Sequence, residues 1–187
     1  MQNSNRKLIA PIIFYLTINL LFIVKYSARI SCKLSIIAAV TYTVSIFISF
    51  FILRHVNIKK KSTLLVLILS YAMLLAIGQS LIDPYQLKVD RWSAIHNFIY
   101  NLFHGIYPYS AQTHLGGYGS PFPAWQFFHI PFYLLGNVGL SFFFSLGMFF
   151  MSIWKSFTSK QLSCIFVWML LSPAIMYECL VRSDLIT

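Results

Sequence analysis

The sequence is poor in charged residues, and acidic residues are the rarest of them. Only 10% of its 187 residues are charged, whereas a soluble domain carries about 25%. Because 58% of the residues are hydrophobic, the chain cannot cover itself with a hydrated surface. The composition therefore excludes an ordinary soluble domain and predicts an integral membrane protein.

Other absences narrow the classes of function. The three cysteines lie far apart and form no metal-ligand spacing: Cys32, Cys164 and Cys179. The chain also lacks a nucleophile elbow, a Walker loop, an HExxH helix, a CxxC pair and a dinucleotide fingerprint. The net charge of +10 comes from short basic clusters at the ends of apolar runs. That pattern is typical of membrane-helix flanks, so we expect no nucleic-acid partner.

The apolar runs predict an all-α membrane protein with about five transmembrane helices, forming a single polytopic domain over residues 1–187. Residues 1–82 hold three spans, and the first has no small-residue cleavage site that would mark a removable signal peptide. From Trp125 about 30 residues are apolar, too many for one untilted crossing. Pro131 and the pair Gly136-Asn137 predict a break there, so residues 125–187 hold a short interfacial or re-entrant piece and two spans. The expected spans are 8–24, 34–53, 64–82, 138–154 and 162–180.

The lysines and arginines predict the orientation of these spans. With the N-terminus inside, the inner segments hold slightly more basic residues than the outer ones, and they include Lys59-Lys60-Lys61. All four acids then lie at the outer face: Asp83, Asp90, Glu178 and Asp184. This segregation suggests that two distant stretches of the chain meet at one outer-face site.

Segment 83–124 is too polar and too rich in turn residues to cross the bilayer, so we expect an outer loop. Its first part predicts a helix over 90–104, where at about 100° per residue one arc is polar. Such a helix is suited to a membrane interface, with its apolar side down. Gly105 should end it, because glycine adopts the left-handed conformation without steric cost. The polar arc holds Asp90, Ser93, Asn97, Asn101 and His104, and the opposite arc holds Trp92, Ile95, Phe98, Ile99, Leu102 and Phe103.

The charged residues near the expected outer face have alternative roles that the sequence leaves open. Asp90 is a candidate general base, a candidate ligand for a divalent metal ion, or simply the cap of its helix. Arg91 suits either a lipid phosphate held bidentately or general anchoring to headgroups. Glu178 and Arg182 are either functional or a local pair at i, i+4. His96 and His104 are too far apart on one helix for a two-histidine metal site.

Taken in order, these pieces resemble the polytopic glycosyltransferases of the GT-C superfamily, especially bacterial members and mannosyltransferases that use polyprenyl- or dolichyl-phosphate sugars. The resemblance covers residues 90–131, about a fifth of the chain, with a looser likeness at 178–184. Family members usually have about eight or more spans, so we expect this chain to be the N-terminal part of a longer protein. The pieces are Asp90 after a span, the amphipathic helix, Gly105-Ile106-Tyr107-Pro108-Tyr109, and the turn Ser120-Pro121-Phe122-Pro123.

The resemblance implies transfer of a sugar from a lipid-phosphate carrier to an acceptor at the outer face of the bacterial cytoplasmic (inner) membrane. Asp90 would be the catalytic residue, and Arg91 with Arg182 would hold phosphate. Two features differ from the family pattern: three spans precede the loop instead of one, and Asp90 has no adjacent second acid. The other expected substrate-binding residues are His104, Tyr109, Glu178 and Asp184.

A different class of function also fits the sequence. The chain could be a non-catalytic integral membrane protein, a transport or assembly subunit whose polar loop docks a partner membrane subunit. The absence of a paired acid beside Asp90 and the short length favour this alternative.

Overall fold

The computed structural model describes residues 2–53, 58, 60–119 and 122–182, and side chains from residue 11 onward except that of Leu53. Within these residues the chain is helical and has no strand; an isolated bridge joins Gln112 and Tyr118. The expectation of an all-α fold is therefore confirmed. The helices are α1 (Gln2–Ser27), α2 (Cys32–Leu53), α3 (Lys61–Leu81), α4 (Arg91–Phe103), α5 (Pro123–Phe128), α6 (Ile130–Leu134), α7 (Leu140–Trp154), α8 (Ser159–Leu170) and α9 (Pro173–Leu180), with 3-10 turns at Pro84–Gln86 and Pro108–Ser110.

Two of the described helices, α2 and α3, are long and apolar enough to cross a membrane. The pair α8 and α9 passes the same test when taken together, but it is bent by 64° at the break between them. A proline at the start of α9 explains the break, because proline cannot continue the hydrogen-bond ladder of a preceding helix. Residues Pro11–Ser27 of α1 and the whole of α7 are apolar but shorter. Within the described residues there are thus two helices of spanning length, or three if the bent pair is one span.

The chain divides into two compact units, and the first comprises residues 1–64 and 158–176. Its helices are joined by polar contacts that sit among apolar side chains. The Tyr15 hydroxyl donates to the Trp168 carbonyl at 2.7 Å, and the Ser172 hydroxyl donates to Asn19 Oδ1 at 2.7 Å. Asn19 is only 2% exposed, so this hydrogen bond satisfies an amide that would otherwise be costly to bury.

The second unit comprises residues 65–157 and 177–187, and its core is built on the apolar arc of α4. Trp92, Ile95, Phe98 and Ile99 are all buried, and they pack with Val138. The expectation that this arc faces lipid is therefore wrong for these residues. Partly buried side chains from the neighbouring segments cover the arc instead: Tyr109, Trp125, Ile130 and Tyr133.

The two predicted chain breaks in this unit are confirmed. Gly105 follows α4 with φ +68°, the Ile106 N–H donates to the Asn101 carbonyl, and the Gly105 N–H donates to the Leu102 carbonyl. This pair of hydrogen bonds is the Schellman motif, which needs a left-handed residue after the helix. The second break follows α6, where Gly136 has φ +87° before α7 begins.

A buried polar network fixes the end of α3 within the second unit. Gln79 is 2% exposed, and its Nε2 donates to the Cys179 carbonyl at 2.8 Å. Its Oε1 accepts from Asn137 Nδ2 at 3.0 Å, and its backbone carbonyl accepts from Arg182 Nη2 at 2.9 Å. One glutamine therefore holds together three segments that are distant in sequence.

Candidate functional site

The candidate site lies at the start of α4 in the second unit, where Asp90 occupies the N-cap position. The Asp90 backbone carbonyl accepts from the Ala94 N–H, as an N-cap carbonyl should. Its side chain makes no capping hydrogen bond to the helix. Asp90 therefore occupies the cap position that one of the sequence alternatives gave it, but its carboxylate is directed to another segment.

That segment is a tight turn over residues 113–117. The Thr113 hydroxyl donates to Asp90 Oδ2 at 2.8 Å and accepts from the Gly117 N–H at 3.0 Å. The Thr113 N–H also donates to the Gly117 carbonyl at 2.7 Å. A Cβ on Gly117 would lie 3.3 Å from Asp90 Oδ2, so glycine is what allows the turn to approach the carboxylate closely. The half-buried carboxylate is thus held in a fixed orientation.

A second contact fastens the same turn to α4. Ser93 is 1% exposed, and its Oγ lies 2.7 Å from His114 Nδ1 and 2.8 Å from the Asp90 carbonyl oxygen. Ser93 Oγ also accepts from the His114 N–H at 3.2 Å. His114 Nε2 lies 2.9 Å from the Leu87 carbonyl. Because a carbonyl oxygen only accepts, Nε2 carries a proton.

Aromatic side chains surround this cluster. Trp92 Nε1 donates to the Pro84 carbonyl at 3.2 Å, and its ring meets Tyr85 edge-on with centroids 4.9 Å apart. The His96 ring lies 5.9 Å from the Trp92 ring and 4.9 Å from the Tyr133 ring. This burial lowers the pKa of His96 from its ordinary value, because desolvation penalises the charged imidazolium.

Arg182 lies just beyond α9, with a left-handed backbone at φ 54°. Its Nη2 donates to the Gln79 carbonyl, while Nε and Nη1 are buried and have no hydrogen-bond partner among the described residues. Burial lowers the pKa of the guanidinium, and the charge of Asp83 partly offsets that effect. A small cavity of about 10 Å³ lies beside it, lined also by His129 and Ser141. Arg182 thus has two buried cationic N–H groups beside a space about the size of one water molecule.

The remaining expected site residues are spread over the second unit. Arg91 is exposed at the first residue of α4, and His104 is exposed at the opposite end, about 20 Å from Asp90 for a helix of 13 residues. Tyr109 packs edge-on against Phe98 with centroids 4.8 Å apart, and Glu178 is 3% exposed. Asp184 lies outside the described residues, as do Ser120 and Pro121.

The structure therefore groups Asp90 with residues other than those chosen from the sequence. The carboxylate contacts Thr113, and Ser93 on α4 contacts His114 of the same turn. Arg182 has a separate contact, to the Gln79 carbonyl, and Asp83 acts on it only through its charge. The pair Gly116-Gly117 is a turn signal that could have placed a tight loop here, although it does not say which helix the loop meets.

Within the described residues, no group of three or more His, Cys, Asp or Glu side chains is placed to hold a metal ion. Asp90 as a ligand for a divalent metal ion stays a prediction.

No family model, no curated protein and no solved structure matches the chain. Function is therefore inferred from the residues of this chain alone.

Proposed function

We propose that the protein is a membrane glycosyltransferase of GT-C type, or the N-terminal part of one. It transfers a sugar from a lipid-phosphate carrier to an acceptor hydroxyl at the outer face of the membrane. Asp90 takes the proton of the hydroxyl, the hydroxyl oxygen bonds to the anomeric carbon of the sugar, and the bond between that carbon and the carrier phosphate breaks. The phosphate leaves on the lipid, and Arg91 and Arg182 offset its charge.

The orientation of the Asp90 carboxylate is the observation that supports this proposal most. A capping carboxylate has its lone pairs directed to helix N–H groups, whereas that of Asp90 is turned to the Thr113 hydroxyl. A rigid support of this kind pre-orients a general base. The buried N–H groups of Arg182 support an anionic substrate in the same unit. A shared site for Asp90 and Arg182 stays part of the proposal.

The proposal includes a topology of five crossings with the N-terminus inside. The spans beyond α2 and α3 are the α8–α9 pair as one broken span, the apolar part of α1, and α7. Segment 83–124 lies outside, which places Asp90 at the level where a lipid-linked sugar is presented. Multi-pass insertion in a bacterial cytoplasmic membrane is part of this proposal.

Transfer assays with an Asp90→Asn variant test the catalytic role. The full-length protein is reconstituted in liposomes with radiolabelled polyprenyl-phosphate mannose or glucose, and a membrane extract supplies the acceptor. Asparagine keeps the size of the side chain and can still accept from Thr113, so the variant should fold. Loss of a general base should slow transfer by about 10²-fold or more.

Asp83→Asn is the matched control, because it removes an equal charge seven residues earlier. The Asp83 carboxylate accepts the Tyr85 N–H in a short turn, and its side chain is exposed. Transfer by this variant should fall far less than in Asp90→Asn, because Asp83 acts on the proposed site only through its charge near Arg182. If Asp90→Asn transferred sugar as fast as the unmodified protein, Asp90 would not be the base.

The alternative, a transport or assembly subunit, is favoured by one observation. The loop after α4 is fastened to the helix, yet it exposes large apolar and aromatic side chains: Ile106, Tyr107, Leu115 and Tyr118. A rigid exposed aromatic surface suits the docking of a partner membrane subunit. In the same assay, no transfer from any donor by the folded protein would favour this alternative.

A further inference from the structure

An apolar groove of about 440 Å³ separates α3 from α7 within the second unit. Leu65, Ile68 and Ala72 lie on the α3 side, and Leu146 and Phe150 lie on the α7 side. The volume lies within the range of about 300–1,000 Å³ that small-molecule sites occupy. Since α3 is of spanning length, the groove lies at the depth of the hydrocarbon region in the proposed bilayer.

Gly147 in the middle of α7 keeps this groove open. A Cβ built at Gly147 would meet no heavy atom within 4 Å, whereas one at Gly78 or Gly139 would lie 2.8 or 2.7 Å from its nearest neighbour. Close packing therefore explains the other two glycines but not Gly147. Glycine is also less favourable than alanine inside a helix. The missing side chain serves the groove, because a larger residue would fill it.

One end of the groove carries a tryptophan and a lysine. Trp154 and Lys155 close it, and Lys155 is exposed. Tryptophan favours the headgroup level of a membrane, and basic pockets between membrane helices bind anionic headgroups. In the proposed topology this end lies at the inner face. The distance along α3 from Leu65 to Leu81 is about 24 Å, which separates the end from the Asp90 loop.

We propose that this groove binds one acyl chain of an anionic phospholipid, whose phosphate lies at Lys155. The charge at the mouth favours a lipid over a helix from a second copy of this chain. All four acids of the chain lie at the opposite, outer side of the proposed topology. A second copy would therefore bring no acid to Lys155, whereas a lipid phosphate pairs with it. This lipid is distinct from a sugar donor at the outer face.

Native mass spectrometry of the full-length protein tests the headgroup preference. The protein is released from nanodiscs of equal parts phosphatidylglycerol and phosphatidylcholine with identical acyl chains, and retained lipids are counted. One cation near the membrane surface should favour phosphatidylglycerol about fivefold. Lys155→Gln should remove the preference, and Lys160→Gln, an exposed lysine outside the groove, should keep it. Equal retention of both lipids by the unmodified protein would overturn the proposal.

Filling the groove tests the chain site separately. Gly147→Leu should abolish retention of both lipids, whereas Met148→Leu should not, because Met148 is 52% exposed and lies outside the lining. Ala72→Leu fills the groove from the opposite wall and serves if Gly147→Leu fails to fold. The proposal would be overturned if the folded groove-filled variants retained as much phosphatidylglycerol as the unmodified protein. It would also be overturned if the unmodified protein were a dimer that Gly147→Leu dissociates without changing lipid retention. None of these readouts depends on sugar transfer.

Discussion

His96 is a single residue whose surroundings give the protein a pH dependence. Its imidazole lies between the rings of Trp92 and Tyr133, and burial lowers its pKa. In the unfolded chain a histidine has a pKa of about 6.5. As pH falls through that value, His96 binds a proton in the unfolded chain, whereas in the folded protein it stays neutral to a lower pH. His96 therefore makes stability decrease toward acidic pH and has no such effect above about pH 7.

We expect His96→Gln to flatten this part of the pH profile. The thermal midpoint of the full-length protein in detergent is measured between pH 8 and pH 5. The unmodified protein should lose stability over this interval, and His96→Gln should lose less. His104→Gln is the control, because His104 is exposed at the end of α4. Equal losses in the unmodified protein and in His96→Gln would show that His96 does not contribute.

Two glycines on α7 and just before it should respond to alanine in opposite directions. In Gly139→Ala the new Cβ would lie 2.7 Å from Gln79 Nε2 and 2.8 Å from Arg182 Cγ, so we expect a loss of about 1–3 kcal/mol. In Gly147→Ala the Cβ enters open space inside a helix, so we expect a gain of about 0.5–1 kcal/mol. Denaturant or thermal unfolding in detergent measures both. The same sign for both variants would contradict this difference in packing.

At the scale of elements, α4 organises the loop that follows it. Its apolar arc is buried in the core of the second unit, while its polar arc holds the loop: Ser93 binds His114, and Asn97 Nδ2 donates to the Gln112 carbonyl at 2.7 Å. The helix therefore has protein on two sides. A change that loosens the contacts between α4 and the loop should therefore increase the mobility of the loop.

Ser93→Ala tests this coupling. The change removes the hydroxyl that accepts the His114 N–H and leaves polar groups unpaired, at a cost of about 1–3 kcal/mol. Amide hydrogen exchange should accelerate in residues 111–117 and stay unchanged in α2. Ser80→Ala is the control, because this exposed serine donates only within its own helix, to the Ile77 carbonyl. Unchanged exchange in Ser93→Ala would mean that the loop is ordered independently of α4.

The same helix shows what the sequence could predict and where prediction failed. Local rules sufficed for the helix, its two arcs and the stop at Gly105, because each depends on neighbouring residues. The wheel could not say whether lipid or protein covers the apolar arc, since Val138 and Tyr133 come from far along the chain. The helical wheel also gave no sign that the Thr113 hydroxyl donates to the Asp90 carboxylate, which makes no capping hydrogen bond. Contacts between residues 23 positions apart leave no periodic signal.

At the scale of the whole molecule, the length and hydropathy of each described helix decide whether it can cross a membrane. The apolar run of α7 is only 15 residues, about 22 Å, because the break at Gly136-Asn137 shortens it. The bend before α9 divides the last run in a similar way. Turn residues inside apolar runs therefore explain why α7 and the α8–α9 pair do not form continuous helices of full spanning length.

Cysteine labelling of intact cells tests the proposed topology. In a background with Cys32→Ser and Cys164→Ser, which removes the exposed native thiols, Ser110→Cys should react with a membrane-impermeant maleimide. Ser62→Cys should react only after the cells are permeabilised. Both serines are exposed, so accessibility does not differ between the sites. The reverse pattern would place the polar loop in the cytoplasm and remove the basis for an outer-face enzyme.

The Gln79 network has a consequence for how the chain is made. The partners of its side-chain amide come 58 and 100 residues later in the sequence. At about 5–20 residues per second, the last partner is synthesised roughly 5–20 seconds after Gln79. The hydrogen bonds that fix the end of α3 can therefore form only late in biosynthesis.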